Sequence, residues 1–193
     1  MEYSFQLLYI CKVNKKEDII KAALKLFVEQ GEQATSMKWI AEEAKCGIGT
    51  MYNYFKSKEE LINVLYFDCK TNLFTYLLES LDTKASVKQQ FITIWLKFID
   101  YSIANPIESG FLQLFSHSPK ISEEITESVG KLIFPLLEIY EKGKKEGIIK
   151  NLEILNLVIF TNGAITSSIS FNPDISKKCK EDLVLLAWDA IKS

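Results

Sequence analysis

Apolar residues recur along this chain at helical spacing almost from end to end. Ile20, Ala23, Leu24, Phe27 and Val28 fall on one face, and Gly31 supplies the stop. Met37, Ile40, Ala41 and Ala44 repeat the pattern over two turns, with Thr35 and Ser36 as N-cap candidates. A turn over residues 45–47 leads into a third short segment, CGIGTMYNY. At about 100° per residue, Ile48, Gly49, Tyr52 and Asn53 share one arc of that helix, while Met51 and Tyr54 point the other way. The pattern predicts three short helices around one small core, the last two forming a helix-turn-helix whose second helix is exposed. Gly47 and Gly49 each weaken a helix by about 1 kcal/mol relative to Ala. Such a cost makes sense where a partner must approach the backbone closely, although the same glycines could simply cap and turn.

Beyond residue 56 the pattern stays helical. Ser57 and Glu60 form an S-x-x-E capping box that opens a helix running to about Ser80. Further helices are predicted over 87–104, 107–116 and 122–145. Pro135 is expected to kink or interrupt the last of these near Ile133 or Phe134, and Gly143 and Gly147 to close it. Two more follow, over 152 to about 170 and 176–192, with Asn172-Pro173 at the turn. The final helix carries two apolar stripes: Val184, Ala187, Trp188 and Ile191, and Leu183, Leu186 and Ala190. One stripe can serve the core, and the second needs a partner. Gly163, Ser167 and Ser170 make a small-residue row on the helix before it. Together they predict a two-fold dimer through a four-helix bundle, with Gly163, Ser167, Ser170, Val184, Ala187, Trp188 and Ile191 at the interface. A wider core within one subunit is the alternative.

Composition narrows the class. The chain has 193 residues, 48% of them hydrophobic, enough for a sizeable core. Cys11, Cys46, Cys69 and Cys179 show no CxxC spacing, which suits unpaired thiols in a reducing cytoplasm and argues against a zinc ribbon. No unbroken run of 18 apolar residues occurs, so no membrane span is expected. Residues 1–11 are apolar but carry Glu2 and no cleavage pattern, reading as an extra N-terminal segment (1–14) packed on the body or as a misassigned start. Residues 1–58 hold nine lysines against seven acids, and the remainder 14 against 18. All 23 basic residues are lysine, so the Arg fork, the commonest reader of guanine, is missing.

The stretches IIKAALKLFVEQG, TSMKWIAEEA and GTMYNYFKSKEEL, in that order and with those gaps, resemble the tetracycline-repressor-type (TetR) transcriptional regulators from about Lys16 to Leu61. The chain departs from the family's usual Gly-Val-Ser-Lys-like run at residues 45–48, which read Lys-Cys-Gly-Ile, so base preference does not carry over. The resemblance implies an all-α protein: a three-helix head (1–58) joined by a long helix to a helical-bundle body for ligand and dimer contacts (59–193). It puts Thr35 or Ser36 and Lys58 on DNA phosphates, and Tyr52, Asn53 and Tyr54 on phosphates or bases. Gly47, Ile48 and Gly49 lie at the helix start, where backbone amides favour a phosphate. Ile48 suits a thymine methyl and Asn53 an adenine edge. A homodimer would then read a pseudo-palindromic duplex.

In the body, Trp95, Ile99, Phe111, Phe115, Leu136, Tyr140 and Phe160 could line one cavity for an unknown apolar or aromatic inducer, although an aromatic stripe also serves as plain core. Neither metal nor cofactor is expected. His117 is the single histidine, too few for paired Glu-x-x-His di-iron motifs, and no G-x-S-x-G elbow occurs, so an enzyme is not expected. The competing reading is a helical interaction module with a degenerate DNA-binding head.

Overall fold

The computed structural model describes the backbone of residues 2–79 and 81–193, and side chains from residue 15 onward within those ranges. Among the described residues the chain is all-α. Its helices are α1 (Glu2–Gln30), α2 (Met37–Glu43), α3 (Ile48–Tyr54), α4 (Lys58–Leu78), α5 (Val87–Ala104), α6 (Pro106–Phe115), α7 (Glu123–Lys145), α8 (Ile154–Phe171) and α9 (Lys177–Ile191). The side chains of 1–14, Cys11 included, and the helix end expected at Ser80 lie outside the described residues.

Two compact units emerge, Met1–Cys69 with Ile107–Thr126, and Lys70–Pro106 with Glu127–Ser193. The sequence boundary at 58/59 differs from this division, which gives the first half of α4, and α6, to the first unit. The reason is aromatic packing. Phe27 of α1 meets Phe111 and Phe115 of α6 at ring-centroid distances of 6.0 and 5.8 Å. Ile19, Ala23, Leu26, Met37, Ile40, Met51, Phe55, Leu61 and Ile62 complete this core.

Local signals set the ends of these helices. Gly31, at φ +81°, caps α1 with its N–H on the Phe27 carbonyl. Ser36 accepts from the Trp39 N–H and opens α2. Ser57 Oγ accepts from the Glu60 N–H at 3.0 Å, while the Glu60 carboxylate takes the Lys56 N–H at 2.6 Å, so the predicted box closes one residue early.

In the second unit, α5, α8 and α9 pack on one another around Phe91, Trp95, Leu157, Val158, Ile165, Val184 and Trp188. Pro135 does not interrupt α7, which continues from Glu123 to Lys145. Gly143 does not close that helix either. It lies buried within α7, where an added Cβ would meet Ile149 Cδ1 at 2.5 Å, and Gly147 at φ +69° ends the element. α8 is long and apolar enough by length and composition to cross a membrane. Its mean hydropathy reaches that level although Asn156, Thr161, Asn162 and Thr166 interrupt the apolar run. One side of α8 (Ile154, Leu157, Val158, Thr161, Ile165) is buried in the unit's own core.

Candidate nucleic-acid interface

The third helix is anchored by two side chains and open over the rest. Met51 is fully buried, Phe55 nearly so, and α3 packs on α2. Gly47 is the N-cap in extended conformation, its carbonyl accepting from the Met51 N–H at 3.1 Å. The opposite arc is open: Ile48 is 44% exposed, Tyr52 45%, and Gly47, Gly49 and Asn53 are exposed beside them. A Cβ added at Gly47 or Gly49 would meet nothing within 4 Å, so internal packing gives no reason for glycine at either. What the glycines leave free is the outer approach to the backbone. Tyr54 is half-buried and already has an interaction within the chain.

Two residues assigned to phosphate turn inward instead. Thr35 is 0% exposed, and its hydroxyl, 2.8 Å from the Gly31 carbonyl and 3.1 Å from that of Leu26, serves to close the α1–α2 turn. Ser36, the other candidate, is exposed, and its Oγ caps α2. Lys58 is committed within the chain as well. Its Nζ donates to the carbonyls of Glu32 at 2.7 Å and Thr35 at 2.9 Å and pairs with Glu32 Oε1 at 2.9 Å. Glu32 also takes Lys120 at 2.8 Å, and the two ammonium groups hold its carboxyl below the usual range, Lys120 contributing most. Sequence reading missed Lys56, which is exposed directly after α3 with its Nζ on the Tyr52 carbonyl at 3.2 Å. Its position beside the recognition helix was the available signal.

Of the cavity residues, Phe111 and Phe115 are buried in the first unit, where Phe27 packs on both, whereas Phe160 is 56% exposed on α8 and so lines no cavity within the subunit. Trp95, Ile99, Leu136 and Tyr140 remain, all buried in the second unit. The dimer assignment changes too. Val184, Ala187, Trp188 and Ile191 are buried in the subunit's own core, on a helix that packs against α5 and α8, and so are not on its open surface. The open residues are Gly163, Ser167 and Ser170 as assigned, together with Leu155, Ile159, Phe160, Leu185 and Leu186.

A three-helix head with an anchored second helix and an open third one defines a helix-turn-helix protein. Residues 19–65 match the family described as bacterial regulatory proteins, tetR family. The HTH-type transcriptional regulator YhgD of Bacillus subtilis is 41% identical over 73 residues, 38% of this chain and 34% of that protein. YuxN of the same organism is 28% identical over 135 residues, 66% of this chain and 46% of that one. These alignments therefore span between a third and a half of the two relatives. The solved structure of a tetR-family regulator from Shewanella sp. PV-4 superposes with a TM-score of 0.83 at 26% identity, covering 93% of this chain and 98% of that one. Over residues 19–65 the chain thus carries the DNA-binding head of the tetR-family regulatory proteins, and the rest of it shares the fold of such a regulator.

Proposed function

We propose that the chain is a DNA-binding transcriptional regulator that reads a pseudo-palindromic duplex as a homodimer and acts as a repressor released by a small apolar or aromatic ligand. The observation that carries the DNA reading is the open arc of α3, where Ile48, Tyr52 and Asn53 stand beside two glycines while Met51 holds the helix from behind. Asn53 offers the donor and acceptor that pair with an adenine edge, Ile48 an apolar contact for a thymine methyl, and Tyr52 a hydroxyl for phosphate. Ser36 at the start of α2 remains available to a phosphate.

Support for the dimer comes from the outward apolar residues of α8 and α9, Leu155, Ile159, Phe160 and Leu186, beside the small row at Gly163 and Ser167. A two-fold axis through such a bundle would give the operator its two half-sites. For the ligand, the buried group of Trp95, Ile99, Leu136 and Tyr140 supports an apolar or aromatic molecule. An inducer acts only by binding the DNA-competent and DNA-incompetent arrangements differently. α4, a continuous helix with residues in both units, is the natural lever for that difference.

The test is a titration of DNA from the chain's own upstream region against scrambled DNA, with wild type and Tyr52→Ala. Protection of a pseudo-palindrome that Tyr52→Ala weakens supports the reading. Equal affinity for both DNAs favours the interaction module with a degenerate head.

A further inference from the structure

Lys58, Glu32, Lys120 and Asn63 form one connected junction inside the first unit. The Lys58 ammonium spans the α1–α2 turn, gripping the carbonyls of Glu32 and Thr35 as well as the Glu32 carboxylate. Lys120, from the segment between α6 and α7, takes the same Glu32 Oε1 at 2.8 Å. Asn63 then secures that segment, its Nδ2 donating to the Lys120 carbonyl and its Oδ1 accepting from the Ser122 N–H, both at 2.8 Å. Lys58 and Glu32 are only 25% and 20% exposed, so water screens their pairing less than it would at the open surface. The turn they hold ends at Ser36, the cap of α2.

We infer that Lys58 is a positioning residue for DNA rather than a phosphate contact: through Glu32, and with Lys120 on the other side of that carboxylate, it fixes the α1–α2 turn and hence the start of α2, while Lys56 supplies the phosphate contact next to α3. This rests on the DNA-binding reading and deepens it. Three features separate the two lysines. Lys58 has all three of its donors directed into the chain, and a phosphate could recruit it only by breaking the Glu32 pair. Lys56 is exposed, spends one donor on the Tyr52 carbonyl at the end of the recognition helix, and has no acid partner among the described ion pairs. Lys120 comes from a different segment, beyond α6, and its ammonium meets the α1–α2 turn at Glu32.

Salt dependence separates the roles, because each phosphate contact adds about 0.9 to the slope of log affinity against log salt. The full-length chain is titrated over a range of salt with a duplex it has selected from random-sequence DNA, alongside Lys56→Ala, Lys58→Met, Lys58→Arg, Lys120→Met and Glu32→Gln. Lys56→Ala is expected to lower the slope by about one contact. Lys58→Met, Lys120→Met and Glu32→Gln are expected to weaken binding several-fold at every salt with no loss of slope, and Lys58→Arg to restore most of the affinity. Should Lys58→Met fail to fold, as judged by thermal unfolding, Lys120→Met and Glu32→Gln carry the test. A Lys58→Met slope reduced by one contact overturns the inference, as does a Glu32→Gln protein that binds more tightly with a steeper slope, since either means Lys58 reaches phosphate. Unchanged affinity in Lys120→Met and Glu32→Gln also overturns it. A wild type that selects no duplex overturns the DNA reading and this inference together, whereas the other results overturn this inference alone.

Discussion

The indole N–H of Trp95 donates to the hydroxyl of Tyr140 at 3.1 Å in the core of the second unit. Tyr140 in turn hydrogen-bonds Thr161, whose hydroxyl donates to the Leu157 carbonyl at 2.8 Å, so a buried relay links α5, α7 and α8. Every polar atom along it is satisfied, which is what makes its members costly to remove. Tyr140→Phe leaves the Trp95 N–H without its partner and should destabilise the chain by about 1–3 kcal/mol in denaturant unfolding.

The same tyrosine predicts a pH dependence. Burial pushes its hydroxyl up from 10.0 to about 12, because the phenolate cannot be solvated there. The folded chain thus keeps the proton over a range where the unfolded chain has lost it. The stability this contributes is present below the unfolded value and disappears as pH rises through the interval from 10.0 to about 12. Tyr140→Phe should flatten the alkaline fall in melting temperature across that interval. An unchanged fall would place its origin elsewhere.

Glu32 predicts the opposite arm. Its carboxyl is held low by Lys120 and then Lys58, so its contribution is present above the ordinary carboxyl value of 4.5 and is lost as pH falls through the depressed folded value. Acid unfolding of Glu32→Gln should therefore be shallower below 4.5 than that of the wild type, with the two curves running parallel near neutrality. Circular dichroism across the acid range checks this.

Much of the helix layout was legible because caps and periodicity act locally. The helix predicted over 87–104 has those bounds in the structure, where Ser86 and Asn105 cap it, and helical spacing on α3 picks the arc that is open. What failed depended on distant partners. Thr35 and Ser36 are equivalent as cap candidates, and only the fold of the α1–α2 turn sends Thr35 to the Leu26 carbonyl. Lys58 is assigned to a phosphate from the sequence because its partners Glu32 and Lys120 lie 26 and 62 positions away and leave no local sign of pairing. The aromatic positions Phe111 and Phe115 announced burial but not which core would take them. Likewise, two apolar stripes on α9 were visible, but which one faces inward is set by α5 and α8.

Two glycines with opposite surroundings offer a paired test. Gly143→Ala would bring a methyl to 2.5 Å from Ile149 Cδ1 and 3.0 Å from Val87 Cγ1. The gain in helix propensity, about 1 kcal/mol, is set against overpacking of about 1–3 kcal/mol, so net destabilisation is expected. Gly163→Ala meets nothing within 4 Å inside the chain, so for an isolated subunit it should be neutral or stabilising. If α8 seats a second copy there, the same methyl should weaken association. Melting curves at several protein concentrations separate the two effects, since only a change in assembly makes the shift concentration-dependent.

The outward face of α8 and α9 gives the most direct test of assembly. Phe160 is 56% exposed and Leu186 68%, while Trp188, only two residues beyond Leu186, is buried in the subunit's own core. Both positions are more than half exposed, so Phe160→Glu with Leu186→Glu should leave the unfolding of a single subunit nearly unchanged. Across a two-fold bundle the same changes put charge into a desolvated seam, where each unpaired charge costs several kcal/mol. Sedimentation should then report a monomer where the wild type is a dimer, and DNA affinity should fall toward that of a single half-site. A wild type that sediments as a monomer, or a double variant that stays dimeric, would move the interface away from these helices.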